Sequence, residues 1–69
     1  MVGTVLTSVA FANRISDQGC DPQKRAKQST CTTEESADKE YDEGHHEGYK
    51  CTYTYYSDDK TWIVEWFHK

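Results

Sequence analysis

The chain has 69 residues, 12 acidic and eight basic, with a formal net charge of −4. That length holds one small domain, of a size that often needs a disulfide, a metal or a partner to be stable, and the acidic balance disfavours direct nucleic-acid binding. Only 35% of residues are hydrophobic, and both tryptophans and all five tyrosines fall within that share, so a small aromatic-rich core with polar loops is expected.

Residues 1–15 read M-V-G-T-V-L-T-S-V-A-F-A-N-R-I. Val5, Thr7, Val9 and Phe11 alternate as a strand would have them. Val2, Val5, Leu6 and Val9 also fit helical spacing, but the β-branched residues favour a strand. A second reading notes that residues 5–12 form a short apolar run ending in Ala10-Phe11-Ala12. That is the small-x-small form of a signal-peptidase site, here without a basic residue ahead of it. The run is too short to cross a membrane as a helix, and no membrane partner is expected.

Residues 16–48 are a polar excursion. Residues 16–19, S-D-Q-G, suit a turn. Asp21 and Pro22 have the form of a helix start, with Asp21 as cap and Pro22 in the first position. Residues 23–28 would follow as one or two helical turns or as a solvated loop, since only Ala26 is apolar. Arg14, Lys24, Arg25 and Lys27 form a basic cluster, most simply a solvated face. Further on, Thr32 and Glu35 have capping-box spacing, and Gly44 could end a helix. Ala37 and Tyr41 would be its only buried contacts. A helix polar nearly all round does not support itself, so a mobile loop with at most short helices is expected.

Residues 49–69 carry the clearest pattern. They read as two strands joined by a turn at Ser57-Asp58-Asp59-Lys60. Centring the turn on the aspartates pairs Tyr56 with Thr61, Tyr55 with Trp62, Tyr53 with Val64 and Cys51 with Trp66. The last six of these share one face and are all apolar or aromatic, which makes it the core face; a one-residue slip would turn one strand's set away from it. The other face, with Thr52, Thr54, Tyr56, Thr61, Ile63, Glu65 and Phe67, is mixed. The Asp-Asp pair lacks the glycine of the tightest hairpin turns, so a four-residue loop fits equally well. The predicted fold is a single, mainly β domain over residues 1–69: a strand at 1–15, the excursion, and an aromatic β-hairpin at 49–69, closed into a small sandwich or barrel.

Cys20, Cys31 and Cys51 are frequent for so short a chain and suggest one disulfide and an extracellular setting. Three pairings are open, and a core-facing Cys51 favours Cys20–Cys51 or Cys31–Cys51 over Cys20–Cys31. Three reduced thiols in a cytoplasmic protein are the alternative. The stretch D-E-G-H-H-E-G-Y-K-C at 42–51 gathers His45, His46 and Cys51 with three carboxylates, but its spacing matches no zinc-finger pattern, and adjacent histidines on an extended chain point apart. No metal or cofactor is expected. A thiol nucleophile at Cys31 or Cys51 would need a histidine such as His46 and a pocket, and no enzyme is expected.

What is left is a protein-binding role. The sequence suggests a secreted, effector- or inhibitor-like module that binds another protein through Tyr56, Ile63, Glu65 and Phe67, with dimerisation through the odd thiol or the hairpin edge as a further option. The alternatives are an acidic intracellular inhibitor that lays residues 34–47 on a basic surface, or a small metal-binding domain using His45, His46 and Cys51.

Overall fold

A computed structural model describes residues 14–69 of the chain. Strand β1 (Arg25–Cys31), helix α1 (Glu34–His46), strand β2 (Lys50–Tyr56) and strand β3 (Thr61–Phe67) follow one another, after a single 3-10 turn at Pro22–Lys24. The strands form one antiparallel sheet in the order β1-β3-β2. The helix packs on one face of it and touches all three strands. The fold is therefore mixed α/β. It is a three-stranded sheet with the helix on one face, where the sequence predicts a mainly β sandwich or barrel. The strand expected over residues 1–15 lies outside the described residues, apart from Arg14 and Ile15, which are not in a strand.

The hairpin has the register that side-chain alternation dictates: Cys51 opposite Trp66, Tyr53 opposite Val64, Tyr55 opposite Trp62 and Tyr56 opposite Thr61. Residues 57–60 make the four-residue loop. Lys60 closes it with a positive φ of 54°, the conformation that lets a longer loop return the chain to the strand.

β1 occupies a stretch expected to be helix or loop. Asp21 does cap a turn, its Oδ1 accepting from the Gln23 N–H at 3.0 Å. That turn stops after Lys24, and Arg25 is already extended (φ −67°, ψ 128°). R-A-K-Q-S-T shows no apolar alternation, so nothing local announces a strand. The stretch pairs because β3 offers an aromatic-rich edge: Cys31 lies opposite Trp62, Ser29 opposite Val64 and Lys27 opposite Trp66, with an irregularity between Arg25 and Lys27.

The polar excursion holds a 13-residue helix. Its cap is Thr33, one residue later than the capping-box spacing suggested, and the Thr33 Oγ1 accepts from the Ser36 N–H at 3.1 Å. Ala37, Tyr41 and Gly44 are its buried residues, spaced i, i+4, i+7, one narrow stripe. Gly44 does not end the helix. Gly48 does, at φ +95°. The Gly48 N–H donates to the His45 carbonyl and the Tyr49 N–H to the Gly44 carbonyl, at 3.0 and 2.9 Å. This is a Schellman stop, with glycine in the left-handed position.

The core cluster is Cys31, Ala37, Tyr41, Cys51, Val64 and Trp66, with Tyr49, Tyr53 and Trp62 packed against it. Gly44 lets the helix sit close: a β-carbon there would lie 2.5 Å from the Cys51 Sγ and 2.7 Å from the Trp66 Nε1. The Trp66 Nε1–H donates to the Glu40 carbonyl at 3.1 Å, joining sheet to helix at the same point.

Residues 14–17 run along the outer edge of β2. The Asp17 N–H donates to the Cys51 carbonyl at 2.9 Å, and the Cys51 N–H donates to the Asp17 Oδ2 at 2.9 Å. The Ser16 Oγ accepts from the Tyr53 N–H at 2.7 Å. Arg14 reaches the helix with two hydrogen bonds to the Asp42 carboxylate, at 3.0 and 2.8 Å, and the Tyr41 hydroxyl donates to the Ile15 carbonyl at 2.6 Å. This strap occupies the outer edge of β2 at Cys51 and Tyr53.

Candidate functional site

The cysteines do not pair. Cys20, Cys31 and Cys51 are three free thiols, so the expected disulfide is absent. Topology explains this. Cys31 ends the edge strand β1, Cys51 begins the opposite edge strand β2, and β3 runs between them. Cys20 lies outside the sheet, its Sγ donating to the Asp17 carbonyl at 3.6 Å. Burial raises all three thiol pKa values, that of Cys51 to about 11. Thiols shifted in that direction stay protonated and are poor nucleophiles.

The residues of 42–51 are likewise dispersed. The Cys51 Sγ is buried and faces the Tyr41 carbonyl at 3.6 Å. His45 turns to Asp17, with Nε2 and Oδ2 2.6 Å apart, and its ring lies 4.3 Å from that of Tyr41. His46 is exposed. Among the described residues no group of three or more histidine, cysteine, aspartate or glutamate side chains could hold a metal ion.

The His45–Asp17 pair borders a shallow depression with Gln18, Tyr49, Lys50 and Lys69. A histidine against a carboxylate can serve acid–base chemistry, but here the carboxylate has structural work. Burial would raise the Asp17 pKa; the hydrogen bonds from the Cys51 N–H and His45, with the fields of His45 and Lys50, outweigh it and hold the carboxyl below its ordinary value. The pair fastens the strap to β2 and to the end of α1.

On the face away from α1, a hollow lined by Gln28, Thr30, Tyr56, Asp59, Thr61 and Ile63 brings together two of the residues proposed for binding. Tyr56 is 51% exposed and Ile63 partly buried. The other two lie further along the same face. Glu65 is held by Arg25 at 2.7 Å and by Thr52 at 3.2 Å, and Phe67 is buried.

The opposite face of the hairpin end carries the feature the sequence reading assigned wholly to the core. The rings of Tyr55 and Trp62 meet in a tilted contact, centroids 4.6 Å apart at 39°. Trp62 packs partly on the core, but Tyr55 is 48% exposed. Next along the sheet, Tyr53 is joined to the helix through Asp38, its hydroxyl donating to Oδ1 at 2.8 Å. Burial, and then Asp38 and Glu34, push its phenol pKa upward, which places Glu34 within electrostatic reach. The signal for Tyr55 was its place nearest the turn, the end of the sheet beyond the buried stripe of a short helix.

No known family matches the sequence, and no curated protein or solved structure matches it.

Proposed function

We propose that the chain is a small protein-binding module whose contact surface is the exposed end of the β2–β3 hairpin. Tyr55 and Trp62 form one side of that end, and Tyr56 and Ile63 the other. The observation that carries this reading is the half-exposed Tyr55 in ring contact with Trp62. Tyrosine and tryptophan present large rigid area at low entropic cost and are enriched at the centres of interfaces. The edge of β1 adds a second route, since an edge strand can accept a strand from another chain. No catalytic role is proposed, because the thiols are raised in pKa and the one histidine–carboxylate pair among the described residues belongs to the strap. Export is proposed on the Ala10-Phe11-Ala12 run alone, which lies outside the described residues, because the cysteines no longer argue for it.

The test is selection of ligands from a random-peptide display library on the full chain, repeated with Tyr55→Ser and Tyr56→Ser. Both side chains are half exposed, so the fold should survive, and circular dichroism checks that it does. Selected ligands should lose about tenfold or more in affinity on at least one variant, as a hot-spot residue would dictate. Ligands that bind both variants as tightly as the wild type would overturn the reading.

A further inference from the structure

The chain already contains one cation site built on a tryptophan. The Lys27 Nζ lies 4.4 Å from the centre of the Trp66 ring and 3.1 Å from the Glu40 carboxylate. The parts come from three elements: a tryptophan on β3, the residue opposite it on β1, and a carboxylate on α1. An ammonium over an aromatic face with a carboxylate beside it gains from both the ring quadrupole and the charge.

Four residues earlier on β3, and on the same face, Trp62 supplies the ring of a similar arrangement. Its ring is enlarged by Tyr55 at 4.6 Å. Glu34 opens the helix three residues after Cys31, the β1 residue opposite Trp62. Glu34 is half-buried, acts electrostatically on Tyr53, two residues before Tyr55, and is in none of the ion pairs among the described residues. Glu35 is beside it in the first helical turn, and Asp58 and Asp59 lie in the loop at the same end, with Lys60 the loop's one cation. Among the described residues no cation lies over the Trp62 ring. Where Lys27 faces Trp66, Cys31 faces Trp62, a short and neutral side chain.

We infer that the Tyr55–Trp62 pair takes an arginine or lysine side chain from a basic segment of another protein, with Glu34 as its counter-charge. This rests on the reading of the hairpin end as the binding surface and adds the chemistry of the partner. The net charge of −4 favours the same encounter at long range.

The test is an NMR titration of the full chain, labelled with nitrogen-15, with three synthetic peptides of equal length: one arginine-rich, one glutamate-rich and one neutral and leucine-rich. The arginine peptide should shift the Trp62 indole N–H and the Tyr55 amide, and leave the Trp66 indole, already covered by Lys27, nearly still. Glu34→Gln should weaken that peptide about fivefold, the scale of one exposed cation–π or charge contact, with little effect on the neutral one. Added salt should act in the same direction. If the neutral peptide binds Trp62 as well as the arginine peptide does, the cationic partner is wrong and the binding surface stands. If no peptide moves Trp62, or if cross-peaks show a second copy or residues 1–13 of this chain on it, both proposals fall.

Discussion

Gly44 and Cys51 meet where helix and sheet are closest: a β-carbon at position 44 would stand 2.5 Å from the Cys51 Sγ and under 3 Å from two Trp66 ring atoms. Those atoms belong to the buried core and cannot swing away. Gly44→Ala would gain about 1 kcal/mol of helix propensity on an exposed helix. Here overpacking should outweigh that gain, with a net loss of about 1–3 kcal/mol. Urea unfolding of the variant measures it.

Asp17 ties three parts of the fold together through the Cys51 N–H, the Cys51 carbonyl and His45. Asp17→Ala removes the side-chain acceptor and leaves the half-buried Cys51 N–H without it, at a cost of about 1–3 kcal/mol. Amide exchange should show where the loss falls: the β2 amides at Cys51 and Tyr53 should exchange faster, while β3, at the centre of the sheet, changes least.

The acid limb of stability follows from the same carboxylate and from Asp42. Both have folded pKa values below the ordinary 3.8, Asp42 chiefly through its hydrogen bonds from Arg14. A lowered carboxylate pKa contributes stability that is complete above its unfolded value and is lost as pH falls through the folded one. Stability should therefore hold down to about pH 4 and decline below it, with a shallower decline in Asp17→Asn. Thermal unfolding across pH 2–6 checks the slope.

Cys51 contributes to the alkaline limb. Its thiol pKa is raised by burial from 9.0 to about 11, so its contribution is complete below pH 9 and is lost as pH rises toward 11. The same burial should protect it from alkylation. At pH 8 iodoacetamide should modify Cys20, which is partly exposed, well before the buried Cys31 and Cys51. Peptide mapping of a time course gives the order.

The register of the hairpin was legible because six aromatic or apolar side chains fall on one face at period two, and only one pairing keeps them there. The start at Asp21-Pro22 was legible as a cap but not in its outcome. A cap fixes where a turn begins, and β3 decides that the following R-A-K-Q-S-T becomes strand. The helix was illegible in strength because its buried stripe is only Ala37, Tyr41 and Gly44, and its stability comes from the sheet beneath it. Gly44 and Gly48 could not be told apart by type, since one is needed for close packing and the other for its left-handed φ. The disulfide expectation came from cysteine frequency, which carries no information about the strand that separates Cys31 from Cys51. The site was half visible: the aromatic excess of the hairpin was plain, but which rings stay exposed depends on where α1 lies.

The most direct measurement places a photo-reactive benzoylphenylalanine at position 55 of the full chain, and at the exposed position 46 as control, in the cells that produce the protein. One discrete adduct is expected at position 55, cross-linked within a lysine- or arginine-rich segment of another protein, and none of it at position 46. Equal cross-linking at the two positions, or none at position 55, would contradict the proposed binding surface.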